Sequence, residues 1–152
     1  MKLNLKLDAK DWHGHGSESI WIEPLADSSE EGVFRLLNTP YFARGLSWGD
    51  VVRVVPSDDG LRFEFKEVVS RSGHSTYRIL VDANDQRFSE ILTQLEALGS
   101  SFERIDFGAR HLYALDVHPE ADIYQVYASL EGGERLGVLE FEEGHVGHIL
   151  RR

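Results

Sequence analysis

Thr76-Tyr77-Arg78-Ile79-Leu80-Val81-Asp82 reads as a strand, and the segments behind it settle the architecture. Asn84-Asp85 caps a helix whose apolar residues Phe88, Ile91, Leu92, Leu95 and Leu98 recur at three- and four-residue spacing until Gly99 stops it. That spacing forms one apolar stripe, enough to bury a helix on a sheet. Phe102–Phe107 and His111–Val117 follow as two strands around Gly108. Pro119 opens a second helix with Ile123, Val126, Tyr127 and Leu130 on one face, which Gly132-Gly133 is expected to end, and Leu136–Phe141 is the last strand. The order β-α-β-β-α-β predicts a ferredoxin-like unit over residues 76–152, with both helices on one face of its sheet.

Ahead of this unit the texture differs. Met1–Asp8 alternates apolar and polar residues as a half-exposed strand does. Ile20-Trp21-Ile22-Glu23-Pro24-Leu25 and Val33-Phe34-Arg35-Leu36-Leu37 flank the polar loop Asp27–Gly32 and form a hairpin. Asp50–Val55 passes through Pro56-Ser57-Asp58-Asp59-Gly60 into Leu61–Lys66, which places Leu61, Phe63 and Phe65 on one face directed at the core. Short strands broken by glycine and proline predict a small antiparallel SH3-like β-barrel over residues 1–75. The whole is α+β, two subdomains packed as one unit.

Composition bounds the chemistry. The chain has 152 residues, 41% of them hydrophobic and 28% charged, proportions of an ordinary globular protein. It has no cysteine, so disulfides, thiolate metal sites and a thiol nucleophile are excluded, and a reducing, cytoplasmic setting is expected. No apolar run approaches membrane-spanning length. The net charge is −10 and unevenly spread: residues 1–78 carry ten Lys/Arg and twelve Asp/Glu, residues 79–152 six and fourteen. An acidic field of this kind repels nucleic-acid phosphate and anionic lipid and attracts a basic partner. The aromatics Trp21, Tyr41, Phe42, Trp48, Phe63 and Phe65 lack the positive groove that a single-strand binder needs.

Arg71-Ser72-Gly73-His74-Ser75-Thr76-Tyr77-Arg78 is the densest cluster of hydrogen-bonding side chains and falls where the barrel passes into the ferredoxin-like unit. A histidine among hydroxyls and arginines suits an anion or a proton transfer, and the same residues suit a glycine turn whose side chains satisfy backbone groups. His13-Gly14-His15 and His145-Val146-Gly147-His148 beside Glu142-Glu143 carry metal-ligating side chains without a specific spacing, so neither a metal nor another cofactor is expected. No Gly-x-Ser-x-Gly frame and no phosphate-cradling glycine loop occurs, and no catalytic residue is assigned.

Three blocks resemble a known bacterial family: Ile20–Leu25, Asn38-Thr39-Pro40-Tyr41-Phe42-Ala43-Arg44-Gly45-Leu46-Ser47-Trp48-Gly49-Asp50-Val51-Val52-Arg53-Val54, and Ser72–Arg78. Leu95-Glu96-Ala97-Leu98-Gly99 and Glu142-Glu143-Gly144-His145 fit as well. The family is the domain of unknown function DUF4265, and the resemblance runs from about residue 20 to residue 148. It implies a small bacterial protein and carries over no activity.

The leading expectation is a non-catalytic binding protein, an immunity or antitoxin-type protein that neutralises a basic toxin through its acidic surface. The candidate binding residues are Arg71, Ser72, His74, Ser75, Tyr77 and Arg78 at the junction, with Asp116, Glu120, Asp122, Glu140, Glu142 and Glu143 on the acidic half. The alternative is a small-molecule-binding regulatory module of ferredoxin-like type, expected as a homodimer. An enzyme using His74 with Arg71 or Arg78 on an anionic substrate stands third.

Overall fold

A computed structural model describes residues 1–25 and 32–151. The expected loop Asp27–Gly32 therefore lies, except for Gly32, outside the described residues. The chain is a mixed α+β protein with nine strands and two helices among the described residues.

The first five strands, β1 (Lys2–Lys6), β2 (Ser17–Pro24), β3 (Val33–Leu36), β4 (Val51–Pro56) and β5 (Phe63–Ser70), pair in sequence order and close into a ring. Strand β2 pairs antiparallel with β3, as the hairpin reading expects, and β4 with β5 likewise. The wholly antiparallel expectation fails at one seam, where Leu3 and Asn4 of β1 lie parallel to Phe63 and Glu64 of β5. Five strands of alternating direction can close only through one parallel pair. Alternation carries Leu3, Leu5, Ile20, Ile22, Leu36 and Val52 into the ring interior, where each buried side chain contributes on the order of 1.5–3 kcal/mol.

The Leu61, Phe63, Phe65 stripe also needs correction. Leu61 sits in the turn and is 83% exposed, and Phe65 is 38% exposed. Two register irregularities, between Val51 and Val52 and between Arg53 and Val54, bend this ladder beyond Phe65, and only Phe63 of the three packs against the ring core. Its ring lies 5.7 Å from that of Phe34.

The second half follows the expected order: β6 (Ser75–Asp82), α1 (Phe88–Ala97), β7 (Ser100–Phe107), β8 (Arg110–Val117), α2 (Ile123–Arg135) and β9 (Leu139–His145). Its four strands form an antiparallel sheet in the order β7-β8-β6-β9. One face presents Tyr77, Ile79, Val81, Tyr113, Leu115 and Val117 to the helices, which answer with Phe88, Leu95, Ile123, Val126 and Leu130. The helix ends differ from expectation in two places. Asn84-Asp85 does not cap α1; the N-cap is Arg87, and the Asp85 carboxylate takes the backbone N–H of Arg87 and its guanidinium. Helix α2 starts on Asp122, which accepts the N–H groups of Tyr124 and Gln125, and it runs through Gly132-Gly133 to Arg135. Gly133 permits a close approach there instead of a stop, because a Cβ would lie 2.7 Å from Leu139 Cδ2 and 3.0 Å from Ile91 Cδ1.

The other sheet face carries Thr76, Arg78, Leu112, Ala114 and Asp116, all buried, and meets the ring's 39–48 segment. Gly45 N–H donates to Gly144 O at 2.8 Å, Thr76 Oγ1 to Ser47 Oγ at 2.9 Å, and Arg78 Nη2 to Ala43 O. This polar seam between ring and sheet positions the site. No helix is long and apolar enough to cross a membrane among the described residues.

Candidate binding cleft

The link between β5 and β6 is held by one carboxylate. Asp50, 1% exposed, accepts the N–H of Ser47 at 2.9 Å and that of Ser72 at 2.9 Å, and its Oδ2 takes Arg71 Nη1 at 3.0 Å. Ser72 Oγ in turn donates to Trp48 O at 2.6 Å and accepts His74 N–H at 3.2 Å. The link thus fixes Trp48 and His74 side by side, their rings 5.0 Å apart.

Asp116 comes to meet them from β8. Along that strand Tyr113, Leu115 and Val117 face the helices, so Leu112, Ala114 and Asp116 face the ring. His74 Nδ1 lies 2.8 Å from Asp116 Oδ1, and His118 Nε2 lies 3.7 Å from Asp116 Oδ2 and 3.2 Å from Ser101 Oγ. Burial raises the Asp116 carboxyl above the usual carboxylate range, against the opposing pull of the His74 hydrogen bond and of the charges that His74 and His118 carry when protonated. When ionised, that carboxylate only accepts, so His74 then donates through Nδ1, and a neutral ring keeps Nε2 as an acceptor.

These residues line an open cleft of about 480 Å³, whose remaining walls are Thr39, Phe102, Glu103, Pro119 and Glu120. No Lys or Arg lines it among the described residues. Trp48 and Phe102 stay 37% and 36% exposed at its lip.

Of the twelve residues expected to bind, the cleft gathers three: His74, Asp116 and Glu120. The others are dispersed. Arg71 and Ser72 fasten the link. Ser75, fully buried, accepts the N–H groups of Gly147 and His148 and faces His148 Nδ1 at 2.6 Å, while His148 Nε2 reaches His118 O at 2.8 Å. Tyr77 lies in the helix-side core beside Phe141, with its phenol pushed well above the usual range by burial and by Glu143. Arg78 is 1% exposed beneath Ala43, with Glu142 3.5 Å away, and burial lowers its pKa. Asp122 caps α2, Glu140 pairs with Arg110 at 3.6 Å, and Glu143 lies exposed on β9. Glu142 accepts Trp12 Nε1 at 3.2 Å and Arg44 at 3.4 Å. His74 therefore has neither Arg71 nor Arg78 beside it in the cleft, which removes the arrangement expected for an anionic substrate.

His13 is buried and His15 stacks on Phe42 at 4.4 Å, so this pair, with Trp12, fastens the 11–15 segment against Phe42 and Phe107. Among the described residues no group of three or more His, Cys, Asp or Glu is placed to hold a metal ion.

The model of a domain family matches residues 18–141. The chain belongs to the DUF4265 family. That family is described only as a domain of unknown function, so membership assigns DUF4265 proteins no chemistry at this cleft. No curated protein matches the chain. A solved structure described as a novel crystal structure of a hypothetical protein from Neisseria gonorrhoeae is similar over 98% of each chain, with a TM-score of 0.75 and 21% identity. At that identity the likeness speaks to fold alone, and it extends the architecture of this DUF4265 chain to a second protein.

The sequence reading missed Trp48, Ser101, Phe102, Glu103 and His118. One signal was available: in Leu112-Tyr113-Ala114-Leu115-Asp116-Val117 a carboxylate occupies an apolar strand, where an ionised group needs a partner.

Proposed function

We propose that this protein is a non-catalytic binding protein that covers a basic protein partner, in the manner of an immunity or antitoxin-type protein neutralising a cognate toxin. The observation that carries the reading is the cleft wall, where Glu103, Asp116 and Glu120 line a concave surface with no Lys or Arg among the described residues. The net charge of −10, concentrated in residues 79–152, extends the same sign beyond the cleft and favours steered encounter with a basic surface. The site is read with residues 1–75 as a small SH3-like subdomain and residues 76–152 as a ferredoxin-like one. The ring closure supports the first name and the strand order β7-β8-β6-β9 supports the second. A cytoplasmic location is proposed with it, on the absence of cysteine.

The test compares capture from native lysate by the wild type and by a Glu103→Gln, Asp116→Asn, Glu120→Gln variant over a salt series. The expected result is a basic protein retained at low salt by the wild type, lost from the variant, toxic when expressed alone and silenced by co-expression. Retention that ignores the three substitutions, or a retained protein that is harmless, overturns the reading.

A further inference from the structure

The cleft sets three carboxylates beside the Thr39 and Ser101 hydroxyls, the His74 and His118 imidazoles and the Trp48 indole. The carboxylates are Asp116, Glu103 and Glu120, and where Asp116 accepts from Nδ1 the neutral His74 ring offers Nε2 as a further acceptor, for which no protein donor is found among the described residues. Independently of charge, the cleft leaves the Trp48 indole and the Phe102 ring more than one-third exposed at its lip, although both are large apolar groups in a concave surface. Acceptors inside and aromatic faces at the mouth call for a ligand that is rich in donors, cationic and flat.

We propose that the cleft seats a guanidinium, the side chain of one arginine on the basic partner, with its plane against Trp48 and its N–H groups directed at Asp116, Glu103 and His74 Nε2. This deepens the binding reading given above and rests on it. Arginine satisfies the set better than lysine: its fork offers five donors in one plane, it stacks on aromatic rings, and its cation is less strongly hydrated than an ammonium. A volume of about 480 Å³ admits one long side chain with its backbone outside. A buried carboxylate, Asp116, in one cleft with a tryptophan also matches the way interfaces concentrate their affinity in a few arginine and aromatic anchors. The Ser72 contacts to Trp48 O and His74 N hold the stacking ring and the Nε2 acceptor in fixed relation before the ligand arrives.

The test uses Nα-acetyl-arginine methylamide as the probe, with the corresponding lysine compound and the uncharged, isosteric citrulline compound as controls. Binding is read from NMR shifts of the Trp48 indole N–H and of the His74 and Asp116 amides. The arginine compound is expected to produce saturable shifts centred on these three residues, with lysine weaker by about fivefold or more and citrulline by about tenfold or more. Asp116→Asn and Glu103→Gln, at unchanged thermal midpoints, are each expected to weaken the arginine compound about tenfold. No saturable shift at the cleft, equal affinity for arginine and lysine, or indifference to Asp116→Asn in a folded variant overturns the proposal. If the arginine compound fails while the charge-dependent capture of a basic protein persists, the anchor falls and the binding function stands; if capture fails as well, both fall.

Discussion

The carboxylate of Asp50 accepts the backbone N–H of Ser72 at 2.9 Å, across 22 positions of sequence, and neither group meets solvent freely. Because the same carboxylate also holds Ser47 N–H and Arg71, its loss would strand two backbone donors together with one cation. Asp50→Ala is expected to destabilise the fold by about 2–4 kcal/mol, whereas Arg71→Ala, whose side chain is 44% exposed, is expected to cost under about 1 kcal/mol. Urea unfolding of the two variants checks this. Equal losses would show that Arg71, not the backbone donors, is what Asp50 is there to hold.

Helix α2 offers two adjacent glycines with opposite expectations. A Cβ on Gly132 meets nothing within 4 Å, so Gly132→Ala removes unfolded-chain freedom without a clash and is expected to stabilise by about 0.5–1 kcal/mol. A Cβ on Gly133 would press on Leu139 and Ile91, so Gly133→Ala is expected to destabilise by about 1–3 kcal/mol. Thermal midpoints of the two single variants decide it, and a shift of the same sign in both would refute the packing seen between α2 and β9.

These glycines also mark how far the sequence could be read. Periodicity located the strands of both halves and the apolar stripes of the two helices, since burial on one face is a local property of spacing. A glycine demanded by a neighbour from another strand looks the same in sequence as a glycine that ends a helix, and Gly133 was read the second way. The exposure of Leu61 was hidden for a related reason: the strand begins only at Phe63, and alternation alone does not mark where a turn ends and a strand begins. For the cleft, the junction Ser72–His74 was legible as a dense cluster of polar side chains. Its partners were not, because Trp48, Ser101 and Glu103 reach it from a loop and an edge strand far away in sequence. Arg71 and Arg78 were grouped with His74 by adjacency, yet Asp50 holds Arg71 and the Ala43 carbonyl holds Arg78 elsewhere.

His145 supplies a pH dependence whose sign can be worked out. Burial, and then the positive charge of Arg71, hold its imidazole below the ordinary value of 6.5, with Asp50 acting weakly the other way. The folded chain therefore resists a proton that the unfolded chain accepts. Stability from this group is intact above the ordinary value, is lost as pH falls from there to the lowered folded value, and is level below it. The substitution His145→Gln keeps a polar side chain of similar reach and removes the titration. Over pH 7.5 to about 5.5, the urea midpoint of the wild type is expected to fall further than that of His145→Gln. Parallel curves would mean that the imidazole is as free to protonate in the fold as in the unfolded chain, and that Arg71 directs its charge wholly to Asp50 and the carbonyl of Gly45.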